Sequence, residues 1–153
     1  MTALDGPLER GRVTVAEALR ELYGDAVAVD AERGAFGFRA GSAWVNVWVR
    51  PGDAGMPTVT IRAWLVEGTE LSPEFLRHLL GDDQRPPFGS FGLDERDVVF
   101  VEERLPGDGI TTSQLRTAVA TLAEFADRAD DAIVARFGGI RMTDRRPSGA
   151  GGT

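Results

Sequence analysis

The chain has 153 residues, a formal net charge of −7 and a pI near 4.7. That length suits one ordinary domain whose core needs no staples, while the acidity argues against a nucleic-acid binder and against docking on anionic membranes. There is no cysteine, which removes disulfides and thiolate chemistry, and all 17 basic residues are arginine, a mark of GC-rich coding.

Residues 1–12 carry Asp5, Pro7 and Glu9 and no apolar run, so a loose lead-in is expected there. No secretion signal or spanning helix is readable, and a soluble cytoplasmic protein is the default expectation. Thr14 stands three residues before Glu17, a capping-box spacing that predicts a first helix running through Leu19 and Leu22 to Gly24. Val27 and Val29 begin an extended segment, and Gly34 to Arg39 reads as a first strand through Phe36 and Phe38.

Two strands with clear alternation follow. Ser42 to Arg50 sets Ala43, Val45, Val47 and Val49 against Trp44, Asn46, Trp48 and Arg50. After a turn opened by Pro51-Gly52, Thr58 to Val66 sets Val59, Ile61, Ala63 and Leu65 against Thr58, Thr60, Arg62, Trp64 and Val66. The aliphatic sets belong to a face covered by helices. Ser72-Pro73 opens a second short helix that carries Phe75, Leu76, Leu79 and Leu80 and stops at Gly81. Phe88 to Leu93 and Asp97 to Arg104 read as a fourth and fifth strand. The run Val98 to Val101 in the latter suits burial on both faces.

The longest element is Thr111 to Gly139. Leu115, Val119, Leu122, Ala126, Ala129, Ile133 and Phe137 form one apolar stripe at helical spacing. Thr111 with Gln114 makes a capping box, and Gly138-Gly139 supplies the stop. Such a helix is roughly 39 Å long, enough to cross a small sheet. The sequence after it, through Thr143 and on to a glycine-rich end, offers little to bury, so residues 141–153 are expected to be a disordered tail. The expected organisation is a single α+β domain over 13–140, an antiparallel sheet of about five strands in the order α-β-β-β-α-β-β-α.

That order resembles the fold of bacterial type III secretion chaperones (the CesT type) and the YbjN-like proteins. The closing segment from Phe125 to Gly139 is similar to the end of YbjN-like, chaperone-like domains of GC-rich bacteria. The resemblance covers roughly Val13 to Gly139. It implies a small, acidic, homodimeric protein that holds client peptides without cleaving them, and it supplies no active-site residues.

Catalytic signatures are thin. His78 lies in the short second helix without readable partners for a metal or a proton relay. Gly107-Asp108-Gly109 lacks the rest of a phosphate loop. Glu102 and Glu103 are strand neighbours and point to opposite faces, so they cannot form a carboxylate dyad. No metal, cofactor or catalytic residue is assigned. The face carrying Trp44, Asn46, Trp48, Arg50, Arg62 and Trp64 is the candidate partner-binding site. It is either covered by another element as ordinary core or left open to a client, since aromatic and arginine side chains on one surface suit a protein or peptide partner. The expected function is a non-enzymatic peptide- or protein-binding module. The alternatives are a regulatory adaptor for one partner and, behind it, a small-molecule enzyme with an unrecognised site.

Overall fold

The computed structural model describes residues 5–53 and 55–144. Three helices, α1 (Asp5–Tyr23), α2 (Pro73–Leu80) and α3 (Thr112–Phe137), accompany an antiparallel sheet. Its strands are β1 (Ala28–Asp30), β2 (Ala35–Ala40), β3 (Ala43–Pro51), β4 (Pro57–Glu67), β5 (Ser90–Leu93), β6 (Val99–Pro106) and β7 (Ile140–Arg141). They run β1-β2-β3-β4-β6-β5, and β7 pairs with the end of β4. The α+β class holds, with seven strands where about five were expected. The additions are β1 and β7, three and two residues long, too short to show a periodicity.

The helices lie on one face of the sheet, where Val45, Val47, Val49, Val59, Ile61, Ala63 and Leu65 are fully buried. Leu115, Val119, Leu122, Ala126 and Ile133 of α3 meet them, and Val15, Ala18 and Leu19 of α1 complete the core. Both halves of the α3 capping box form: the Gln114 N–H donates to Thr111 Oγ1 at 3.1 Å and the Thr111 N–H to Gln114 Oε1 at 3.0 Å. Gly138 ends the helix at φ 76°, a left-handed conformation suited to glycine. Ser72 caps α2 by accepting the Phe75 N–H at 3.1 Å.

Three boundaries differ from the sequence reading. Helix α1 begins at Asp5 rather than Thr14, so residues 5–12 are helical and not a loose lead-in. The apolar stripe continues backwards through Gly11 to Leu8, and Gly11 is buried close to Val49. Thr14 sits inside the helix and donates its hydroxyl to the Arg10 carbonyl at 3.0 Å, the i−4 bond of a helical threonine. In β4, a bulge between Trp64 and Val66 rotates Val66 off the open face, and it is buried along with Leu65. Residues 141–144, expected in the disordered tail, belong to the fold. Arg141 pairs with Val66, and Thr143 Oγ1 donates to the Ser42 carbonyl at 2.6 Å. Residues 1–4 of the expected lead-in, and the tail from 145, lie outside the described residues.

Candidate functional site

Strands β3 and β4 place all six expected residues on the sheet face opposite the helices. The register sets Trp44 against Trp64, Asn46 against Arg62, Trp48 against Thr60 and Arg50 against Thr58. The core contacts of α1 and α3 are on the other face. Trp44 is 40% exposed and Arg50 is exposed, whereas Asn46, Trp48, Arg62 and Trp64 are half-buried by one another.

Arg62 is the centre of the cluster. Its guanidinium carbon lies 3.8 Å from the Phe100 ring centroid, 5.1 Å from that of Trp64 and 5.5 Å from that of Trp48. Arg62 Nε donates to Glu102 Oε2 at 2.7 Å, and the other carboxylate oxygen accepts from Arg104 Nε at 2.8 Å. A charged plane held among aromatic faces and fixed by a carboxylate stiffens them, because the guanidinium has both stacking surfaces and a hydrogen-bonding edge. Trp64 and Phe100 meet edge to face at 5.6 Å, and Trp64 Nε1 donates to Asn46 Oδ1 at 2.9 Å. Arg50 stands over the outer side of Trp48 at 5.5 Å.

Trp48, Arg50, Thr60, Arg62 and Arg104 line a shallow depression of about 160 Å³ at the middle of the face. Two glycines let rings lie flat on the sheet beside it. A Cβ at Gly92 would come within 2.4 Å of the Phe100 ring, and one at Gly37 would come within 3.1 Å of Trp44 and Asn46. The face is also locally basic in an acidic chain: Arg39, Arg50, Arg62 and Arg104 oppose Glu102 and, at the β1 edge, Asp30.

Phe100, Glu102 and Arg104 were not among the expected site residues. They alternate on β6, but the apolar run Val98 to Val101 hides the start of that alternation. Glu103, between them, points to the helix side, as its strand position requires. His78 lies away from the site, its ring 5.2 Å from that of Phe137, and burial together with Arg136 lowers its pKa.

A second polar cluster ties the β2–β3 turn to α3. The Ser42 N–H and hydroxyl donate to Asp127 Oδ1 at 2.7 and 2.6 Å, and the same hydroxyl lies 2.8 Å from Asp130 Oδ2. Asp130 is fully buried, and that burial pushes its carboxyl up to about 6, against the pull of Ser42. Asp127 is held below its ordinary value by the Ser42 hydroxyl and N–H. Arg141 sits between Asp130, Asp131 and Asp144.

The chain is thus an antiparallel sheet with helices on one face and an aromatic–arginine surface on the other. The chain belongs to the family described as "T3SS (YopN, CesT) and YbjN peptide-binding chaperone 1", which it matches over residues 9–145. Solved structures that share its fold include two complexes. The HopA1–SchA chaperone–effector complex contains a chain 13% identical, with a TM-score of 0.63 over 83% of this chain and 98% of that one. The ExsC–ExsE complex contains one 16% identical, with a TM-score of 0.63 over 80% of this chain and 92% of that one. No curated protein sequence matches the chain. The protein is therefore a peptide-binding chaperone module of the type III secretion and YbjN class. None of its helices, among the described residues, is long and apolar enough to cross a membrane.

Proposed function

We propose that the open tryptophan–arginine face holds a client peptide or protein, and that the chain acts there by binding rather than by catalysis. The observation that carries this is the face itself: Trp48 and Trp64 pack on Arg62, Trp44 stands beside Trp64, and Trp44 and Arg50 are exposed on the side opposite the helices. Desolvated aromatic anchors carry most of the energy in such interfaces, while charges at the rim steer the encounter. Arg39, Arg50 and Arg104 favour a client segment with acidic groups beside apolar ones. One of the fold relatives stands in a chaperone–effector complex, which agrees with a protein or peptide client.

The chain works in this reading as a cytoplasmic homodimer. Exposed Leu80, Val29 and Ile140 supply apolar area that a second copy would cover.

The test is intrinsic fluorescence during titration with acidic–aromatic peptides drawn from proteins encoded beside this one. Bound client shifts the tryptophan emission. Trp48→Ala weakens binding by about 2 kcal/mol, a hot-spot loss, with folding retained. Several peptides binding comparably indicates a chaperone, and one alone indicates an adaptor. No shift with any peptide, or a Trp48→Ala chain that binds like the native one, removes the face from consideration. Light scattering at micromolar concentration checks the dimer, and a monomer mass overturns it.

A further inference from the structure

On the helix side of the sheet, a groove of about 520 Å³ opens where the outer edge of β6 meets the first turns of α3. Strand β5 pairs with β6 only as far as Ser90 against Glu102, which leaves the following residues of β6 without a strand neighbour on that side among the described residues. Leu105, Pro106, Ile110 and Ala118 form apolar walls, and Phe88, 61% exposed, stands at the rim.

Glu103 lies in this lining, only 5% exposed. No hydrogen bond or ion pair to it is formed by any described residue. Its strand neighbour Glu102 is held by two arginines on the other face. Among the described residues no arginine or histidine lines the groove. The other acid there, Asp108, is met by Arg10 at 3.6 Å. Ser113 and Thr117 offer hydroxyls along the α3 side, and the Gln114 side chain is engaged in the helix cap.

The Glu103 oxygens reach only the groove and meet no partner among the described residues, and a carboxylate largely shielded from water is ordinarily paired. An apolar cleft with one unpaired acid and no base in its lining is complementary to an alkyl chain that ends in a cation. We propose that this groove is a second recognition site, which takes an arginine or lysine side chain from a peptide segment, with Glu103 accepting its charged hydrogen bonds. The site deepens the client-binding reading and rests on it, but it lies on the opposite side of the sheet from the tryptophans. A client engaging both would present acidic–aromatic residues to the open face and a basic residue to the edge. Burial raises the Glu103 pKa, and a bound cation would oppose that rise.

The test uses the full chain and two blocked pentapeptides, valine- and leucine-flanked, that differ only in a central arginine or its uncharged isostere citrulline. Calorimetry gives the affinities, and amide shifts of the isotope-labelled chain locate binding. The arginine peptide is expected to bind about tenfold to a hundredfold tighter, the range for a charge-assisted hydrogen bond, with shifts at Leu105, Thr117 and Ala118. Glu103→Gln brings the two peptides within about twofold, because an amide keeps the acceptor but loses the charge. Thr117→Arg places a guanidinium over the groove and weakens both. Equal affinities in the native chain, no binding of either peptide, or an arginine preference that survives Glu103→Gln overturns the proposal. Trp48→Ala separates the two sites: it leaves the arginine preference intact, and loss of that preference places the discrimination outside the groove. Client peptides that shift tryptophan emission while the arginine preference is missing overturn the groove alone.

Discussion

Replacing Asp130 with asparagine removes the titration of a buried carboxyl while keeping its shape. In the native chain the Asp130 side chain is fully buried, and the one side-chain hydroxyl that donates to it among the described residues, that of Ser42, is shared with Asp127. One hydroxyl proton cannot serve both carboxylates at once. Burial therefore dominates and moves Asp130 from 3.8 to about 6. The folded state then binds a proton more readily than the unfolded one. Ionised Asp130 weakens the fold above pH 6, and that penalty fades as pH falls from about 6 to about 3.8. At about 1.4 kcal/mol per pH unit the full effect is on the order of 3 kcal/mol. That is an upper figure, because Arg141 beside it is about one-third open to water and screens the charge. Asp127 and His78 act the other way: their pKa values are lowered, so each loses stability as pH falls, His78 below its ordinary 6.5 and Asp127 below its ordinary 3.8. Glu103 acts with Asp130. His78 and Glu103 lie outside this cluster and titrate alike in both proteins, and Asp127, which shares Ser42 with Asp130, is held below its ordinary 3.8 and so outside the range from pH 7 to pH 4; the comparison therefore reads Asp130. Urea unfolding of native and Asp130→Asn chains at pH 7 and pH 4 should show the native chain gaining up to that amount relative to the variant on acidification. Parallel stability curves would refute the reasoning.

Gly41→Ala places a Cβ at φ 60° and 2.6 Å from Asp127 Oδ1, so it should cost about 2 kcal/mol or more in urea unfolding; an unchanged midpoint would show that the turn yields. Deleting residues 145–153 should leave thermal unfolding cooperative and its midpoint unmoved. Extending the deletion to Thr143 removes the bond to the Ser42 carbonyl and should cost about 1 kcal/mol; equal midpoints for the two deletions would remove that role for Thr143.

Helix α3 was legible because its cap, its stripe and its glycine stop all lie within one stretch and agree with one another. The two tryptophan strands were legible for a similar reason: each alternates for a whole strand length, and one residue of slip would turn its valines to water. What failed was information carried elsewhere. The start of α1 passes through Gly11, a core position with no side chain to register as apolar. The position of Val66 depends on a bulge that β6 imposes on β4. Asp130 reads as one more acid on a solvated helix face, and only the turn at Gly41-Ser42, 88 residues earlier, encloses it.

The candidate site shows the same division at a finer scale. Alternation assigned Trp44, Trp48 and Trp64 to one face, but it could not say whether another layer covered them. That depended on all three helices choosing the opposite side. Nor could it rank the arginines. Arg50 and Arg62 look equivalent in sequence, yet Arg62 is fixed by Glu102 and packed on Phe100, while Arg50 stays exposed over the edge of Trp48. The difference comes from β6, which lies beside β4 and not beside β3. Arg62 is thus part of the platform, and of these two arginines Arg50 is the one whose charge the proposed client would meet. The adjacent glutamates make the complementary case. Strand geometry alone sends Glu102 and Glu103 to opposite faces, but only the fold gives one of them two arginines and leaves the other unpaired beside an apolar groove.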